Sequence, residues 1–126
     1  MSTIKANDIQ SATGGIPTVK GQKLIPTAWV NFNGTGTVAI RDSENVSSIT
    51  DRGTGLYTVT FTTSMDNINY TYSGMGGNTT TNLRSISQPY GTTPPTLTGC
   101  NYDVVYASGS AIDAPLVCIT ILGGQA

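Results

Sequence analysis

The feature that most constrains this chain is the alternation of apolar and polar residues in several short runs. In YTVTFT, residues 57–62, the apolar side chains fall on one face of an extended chain and the threonines fall on the other. The run AWVNFN, residues 28–33, alternates in the same way. Similar runs recur at intervals of about 8–12 residues. This pattern predicts an all-β protein, a small antiparallel β-sandwich whose strands each bury one face.

Strands are expected over residues 28–33, 38–42, 46–49, 57–62, 68–73, 83–87, 102–107 and 116–122. The last two are expected to form a closing hairpin. Residues 74–82 and 88–99 read as long loops, the second stiffened by adjacent prolines. The residues expected to share one core are apolar and occupy alternating positions of the early strands: Val30, Phe32, Val38, Ile40, Tyr57, Val59 and Phe61.

Two glycine clusters, NGTGT at 33–37 and DRGTG at 51–55, could be phosphate-binding loops or turns. A phosphate loop needs a lysine followed by serine or threonine at the start of a helix, and neither cluster has one. β-forming residues follow NGTGT instead. Both clusters are therefore expected to be turns in which glycine adopts a positive φ, and Asp51 is expected to bond to the backbone of its own turn.

Composition excludes several classes of function. The chain has 126 residues, six basic and seven acidic, and no histidine. The cations are scattered, so nucleic-acid binding is not expected. Catalysis that needs imidazole is excluded, and no enzyme activity is expected. The longest apolar run, LVCITIL, is too short for a membrane-spanning helix, and no secretory signal is visible. We therefore expect no membrane insertion, and synthesis in a cytoplasm.

Two cysteines and two neighbouring carboxylates are the side chains with the most chemical potential. Cys100 and Cys118 lie in the two strands of the expected closing hairpin and are expected to be buried free thiols. Asp42 and Glu44 could contribute to a calcium site or an acid–base pair, but their spacing matches no calcium loop. They are expected to be solvated charges on an edge strand. The sequence predicts no cofactor and no metal site.

Composition divides the chain into a polar N-terminal arm, residues 1–26, and a β-sandwich domain, residues 27–126. The arm is expected to serve attachment or oligomerisation, with Ile4, Ile9 and Ile16 as its candidate contact residues. The two long loops supply the candidate binding residues. An exposed tyrosine there could stack on a sugar or anchor a protein interface, while a plain spacer is the alternative. These candidates are Asn78, Thr79, Thr80, Tyr90 and Thr92.

The run that begins AWVNFNGTGTVAIRDSENVSSITD resembles a block found in tail-fibre-like virion proteins of tailed bacteriophages, notably phages of marine and freshwater bacteria. The resemblance is specific over residues 28–73, and the opening STIKANDIQ is similar to the start of such proteins. It implies a trimeric, lectin-like or jelly-roll-like sandwich on a virion assembled in the bacterial cytoplasm.

The resemblance implies a non-enzymatic structural protein, acting as a short tail fibre or receptor-binding module through multivalent adhesion. Its expected partners are two further copies in a homotrimer, other phage virion proteins, and a glycan or protein on the host surface. The alternative is a decoration or cement protein of the phage capsid, whose arm would hold neighbouring subunits. A short chain favours this alternative, because most fibres have a longer shaft.

Overall fold

The alternating runs form β-strands in the computed structural model, which describes residues 2–14, 17–18, 23–79 and 84–125. This described part contains eight strands and no helix. The strands are β1 (Ala28–Asn33), β2 (Ala39–Glu44), β3 (Val46–Gly53), β4 (Leu56–Phe61), β5 (Tyr70–Gly77), β6 (Arg84–Ser87), β7 (Gly99–Tyr106) and β8 (Leu116–Gly123). The predicted all-β class is confirmed.

The strands form two four-stranded sheets that face each other as a sandwich. Sheet I has the order β2-β1-β8-β5, and sheet II has the order β3-β4-β7-β6. Every pair of neighbouring strands is antiparallel. The predicted small antiparallel β-sandwich is therefore confirmed.

The core lies between the sheets, because the strands with alternating apolar and polar residues direct their apolar side chains inward. In β1 and β4, buried and half-buried residues alternate without exception. Three edge-to-face aromatic contacts cross the interior, with ring centroids 5.1–5.7 Å apart. The largest fully buried side chains are Tyr57, Tyr102, Phe32, Ile119, Ile121, Val30, Val59, Val104 and Val117.

A single residue, Asn45, carries the chain from sheet I to sheet II between β2 and β3. Its φ of 54° is in the left-handed region, which asparagine tolerates better than most residues. Its side-chain amide donates to the carbonyl oxygens of Thr27 (3.1 Å) and Thr63 (3.2 Å), and its oxygen accepts from the Thr63 N–H (2.7 Å). These hydrogen bonds hold the connection between β2 and β3 against the segments that contain Thr27 and Thr63.

The expected closing hairpin is wrong. β7 lies between β4 and β6 in sheet II, whereas β8 lies between β1 and β5 in sheet I. Alternation predicts that a strand buries one face, but it carries no information about the neighbouring strand. Cys100 and Cys118 are consequently not strand neighbours. Both thiols are free, as predicted, but Cys118 is only half-buried on the outer face of sheet I.

The expected loop at 74–82 is also partly wrong, because Gly74–Gly77 belong to β5 and pair with β8. A side chain there would collide with neighbours: a Cβ added to Gly76 would lie 2.9 Å from the Cβ of Arg84. The glycines thus let the edges of the two sheets approach. At the other end of the predicted strand, Ile68 is exposed and lies before β5.

One apolar residue assigned to the core lies elsewhere. Ile40 is exposed on β2, which is an edge strand and pairs with β1 through an irregular register near Phe32. Trp29 is half-buried on the outer face of sheet I, at a position that alternates with buried Ala28 and Val30. The two-residue period of the strand thus places the tryptophan on the outer side.

Three buried tyrosines make the fold sensitive to alkaline pH. Burial raises the pKa of the hydroxyls of Tyr57, Tyr70 and Tyr102 above the ordinary value. Because each tyrosine has a higher pKa in the folded state, the unfolded chain loses these protons first as pH rises. The folded state therefore keeps its full stability below the pKa of the unfolded chain and loses stability above that pKa. Burial likewise raises the pKa of the Cys100 thiol.

We therefore expect the free energy of unfolding to fall steeply above about pH 10, the ordinary pKa of tyrosine, with a slope of at least about 4 kcal/mol per pH unit, since the three tyrosines and the Cys100 thiol all hold their protons in the folded state. Urea unfolding at a series of pH values measures this slope. The Tyr102→Phe variant should lower it by about 1.4 kcal/mol per pH unit, the contribution of one proton. A wild-type slope no steeper than that of a single group would contradict the prediction.

Candidate functional site

Tyr57 organises one end of the sandwich, which we call the Tyr57 end. Its buried hydroxyl lies 2.7 Å from the carbonyl oxygen of Gly34 and 3.1 Å from Oδ1 of Asp113. The Gly55 N–H donates to the same carboxylate oxygen (2.7 Å). These bonds join three separate connections: residues 34–38, 54–55 and 107–115. The loops at this end therefore share one buried anchor.

Burial of the Tyr57 ring is the main cause of its raised pKa, and the negative charge of Asp113 raises that pKa further. The hydroxyl consequently stays protonated near neutral pH. Its chemistry is that of a structural hydrogen bond. Nothing in the sequence close to Tyr57 points to Asp113, because the two are 56 residues apart.

The two glycine clusters are turns, as predicted. Gly36, Gly53 and Gly55 have positive φ angles of 60°, 134° and 69°. The side chain of Asp51 accepts a hydrogen bond from the N–H of Gly53 (2.9 Å), which confirms the expected turn bond. The clusters lie at the Tyr57 end and support its loops.

The candidate binding residues of the first loop lie after β5, also at the Tyr57 end. Asn78 is half-buried and accepts a hydrogen bond from the N–H of Thr79 (2.8 Å), while Thr79 itself is exposed. Thr80 lies outside the described residues. The side chain of Asn78 is thus occupied in shaping the start of this loop.

The second candidate group lies in a compact turn after β6. The N–H groups of Thr92 and Thr93 both donate to the carbonyl oxygen of Pro89 (3.2 and 2.8 Å), and the amide of Gln88 donates to the carbonyl oxygen of Thr93 (3.0 Å). These bonds close the turn on itself. The side chain of Tyr90 is 67% exposed at its apex. An exposed aromatic ring on a turn ordered in this way is suited to contact a partner.

The structure does not bring the two candidate groups together. Asn78 and Thr79 precede β6, whereas Tyr90 and Thr92 follow it, and the strand separates the two loops. Each loop therefore has to be considered as a separate surface.

Sequence reasoning missed a shallow groove on the outer face of sheet II, about 400 Å³ in volume. Its floor includes the outward threonines of β4, Thr58 and Thr60, and its wall is the proline-rich segment after Tyr90. The Thr58 hydroxyl donates to Oδ1 of Asn101 (2.6 Å). The lining has no charged residue, and it consists of Thr58, Thr60, Thr93, Pro94, Thr96, Thr98, Gly99, Cys100 and Asn101. The alternating threonines of YTVTFT are the sequence feature that could have indicated this groove, because they form a row of hydroxyl groups on the outer face of β4.

Two candidate contact residues of the arm, Ile4 and Ile9, are 87% and 66% exposed, and Ile16 lies outside the described residues. Further along, Ser11 and Thr13 line a groove of about 530 Å³ together with residues 63–66 of the body. The arm thus lies against the body near residues 11–14, while residues 2–10 are exposed.

Asp42 and Glu44 are exposed on the edge strand β2, as expected for solvated charges. A search of the described residues finds no group of three metal-ligating side chains. Over the same residues, no helix has the length and apolar character needed to cross a membrane.

Comparison with known proteins adds no identification: no family model, curated protein or solved structure matches this chain.

The anchor at the Tyr57 end predicts the effect of one small substitution. A Cβ added to Gly34 would overlap the Tyr57 hydroxyl and would lie 2.8 Å from its Cζ. We expect Gly34→Ala to lower the free energy of unfolding by about 1–3 kcal/mol, measured by urea denaturation.

Gly91→Ala is the matched control, because a Cβ at Gly91 meets no atom within 4 Å. It should change stability by less than about 0.5 kcal/mol. Adding Tyr57→Phe to Gly34→Ala removes the colliding oxygen, so the double variant should lose less than the sum of the single losses. Additive losses would show that the hydroxyl is not the contact responsible.

Proposed function

We propose that this chain is a bacteriophage virion structural protein that acts as a short tail fibre or receptor-binding module. Two features support the proposal. Residues 28–73 resemble a block of tail-fibre-like proteins, and these residues fold into strands of a compact β-sandwich. The proposed activity is adhesion, without a catalytic step.

The observation that carries the binding role is the turn at residues 88–93. Hydrogen bonds within residues 88–93 order its backbone, and the ring of Tyr90 remains largely exposed. Holding an aromatic side chain in place before binding reduces the conformational entropy lost on contact. The adjacent uncharged groove offers threonine hydroxyls, which both donate and accept hydrogen bonds. A glycan or a polar protein surface on the host cell fits this chemistry.

Adhesion by such a surface depends on repetition. One exposed ring and a shallow groove give weak binding, but copies in a homotrimer and on a symmetric particle act together and raise the overall affinity. The trimer, its attachment to other virion proteins and its place on the virion belong to the same proposal.

A substitution of Tyr90 tests the binding role. We expect purified wild-type chain to bind whole cells of a susceptible bacterium, measured by flow cytometry. Tyr90→Ala should weaken that binding by about tenfold or more, because the contacting ring is removed. Tyr90→Phe retains the ring and should retain most of the binding.

Ile68→Ala is the control, since Ile68 is also exposed but lies before β5, outside both the turn and the groove. It should bind as the wild type does. If Tyr90→Ala binds cells as tightly as Ile68→Ala, the turn is not the contact surface.

The exposed arm favours a second candidate, a capsid decoration protein. The exposed isoleucines Ile4 and Ile9 could hold a neighbouring subunit on a lattice. In this case the sandwich would sit at repeated points of the capsid shell, and Tyr90 would contact the shell or solvent.

The position of the protein on the particle distinguishes the two candidates. For a tail fibre, cryo-electron microscopy of intact particles should show density for the sandwich only at the tail. Many regularly spaced copies over the head would exclude the fibre and support decoration. Density at neither place would contradict both.

A further inference from the structure

The outer faces of the two sheets differ in chemistry. On sheet II, the outward positions of β3 and β4 carry hydroxyl groups, among them Ser48, Thr50, Thr58 and Thr60. On sheet I, large apolar or sulfur-containing side chains occupy several outward positions, and polar residues such as Asn31, Ser73 and Thr120 occupy others. We call this surface the apolar face, and it bears Trp29, Met75, Leu116, Cys118 and Leu122.

These side chains are neighbours on the surface. Met75 pairs with Cys118 across β5 and β8, and Trp29 of β1 and Ser73 of β5 both pair with Thr120. Met75 is 56% exposed, and the other members of the apolar face are half-buried. An outer sheet surface on which large apolar side chains lie among small polar ones is suited to contact another chain.

The N-terminal segment offers matching side chains. Ile4 and Ile9 are exposed, and the hydrogen bonds that residues 2–14 make within the described structure all stay inside that segment. Among the described residues, positions 2–10 therefore include exposed apolar side chains and make no hydrogen bond to their own sandwich.

The whole arm and the body carry opposite formal charges, and within residues 2–14 Lys5 and Asp8 balance each other. Residues 1–26 contain three lysines and one aspartate, which gives a formal charge of +2. Residues 27–126 contain three arginines and six carboxylates, which gives −3. Two of these carboxylates, Asp42 and Glu44, are exposed on β2 at the border of the apolar face, and Glu44 pairs with Trp29 in the strand register. Lys5 lies beside Ile4 in the arm, so one segment presents both an apolar and a cationic group.

We propose that the arm of one copy lies on the apolar face of a second copy of this chain, with Ile4 and Ile9 covering the area around Met75. The inference rests on the proposed function, since it names the contact that would build its oligomer. Ten extended residues reach about 33 Å, more than the length of an eight-residue strand, so the arm can reach a neighbouring sandwich. A second copy is favoured over the same copy because the segment leaves its own apolar face uncovered here.

Association of full-length variants tests the arrangement. Multi-angle light scattering over a dilution series should show that the wild type is oligomeric. Ile4→Asp/Ile9→Asp in the arm, and separately Met75→Asp on the face, should each weaken association by about tenfold or more. Leu97→Asp, which places the same charge on an exposed leucine outside both surfaces, should leave the oligomer intact. Thermal unfolding of each variant verifies that the sandwich remains folded.

Mixing the variants identifies which surfaces meet. The arm variant retains an intact face, and the face variant retains an intact arm, so an equimolar mixture should form two-chain complexes, each held by one arm–face contact, that neither variant forms alone. A monomeric wild type at every concentration, or an arm variant that associates like wild type, would overturn the proposal. Monomeric variants whose mixture stays monomeric would overturn it too, because an intact arm would then fail to bind an intact face. These association measurements do not depend on whether Tyr90 binds cells. A negative result would therefore overturn the arm–face contact without overturning the proposed adhesion.

Discussion

The buried hydroxyl of Tyr57 is the interaction on which the shape of one end of the molecule depends. The ring of this residue packs edge-to-face on Phe32 in the core, while its oxygen reaches Gly34 and Asp113 in two surface connections. One side chain thus links the packing between the sheets to the geometry of the loops. Gly34 has to be glycine because the ring occupies the space where a Cβ would be. The loops are consequently held by the core, even though they lie at the surface.

Asn45 has an equivalent role at the opposite end, where the chain passes between the sheets. Asn45 bonds to backbone groups, whereas Tyr57 bonds to one backbone carbonyl and to the carboxylate of Asp113. The described residues contain one salt bridge, between Arg52 and Asp103 (3.1 Å), and a surface pair of this kind contributes little. A chain with few charges therefore obtains its order from apolar burial and from side-chain bonds to the backbone. Such anchors leave the outer faces of both sheets available for contacts with other molecules.

The sequence predicted well what depends on neighbours along the chain. The alternation of apolar and polar residues predicted the strands and the buried faces of β1 and β4. The turn sequence predicted the hydrogen bond from the Asp51 side chain to the backbone of its own turn. The candidate site was harder to predict. Tyr90 was recognised as an exposed aromatic, but the groove beside it depends on a segment folding over Thr58 and Thr60. That proximity comes from sheet packing and leaves no local pattern in the sequence.

By itself, the sequence determined the all-β class, the positions of the turns and the face that most strands bury, because these follow from backbone preference and a period of two residues. Only the tertiary structure decided which strands are neighbours. It separated β7 from β8, placed Cys118 on the outer face and drew the glycines of residues 74–77 into β5. Strand pairing is a contact between distant residues, and it is set by how two whole sheets fit together. The apolar face follows from that pairing, since its members come from three strands that are far apart in the chain.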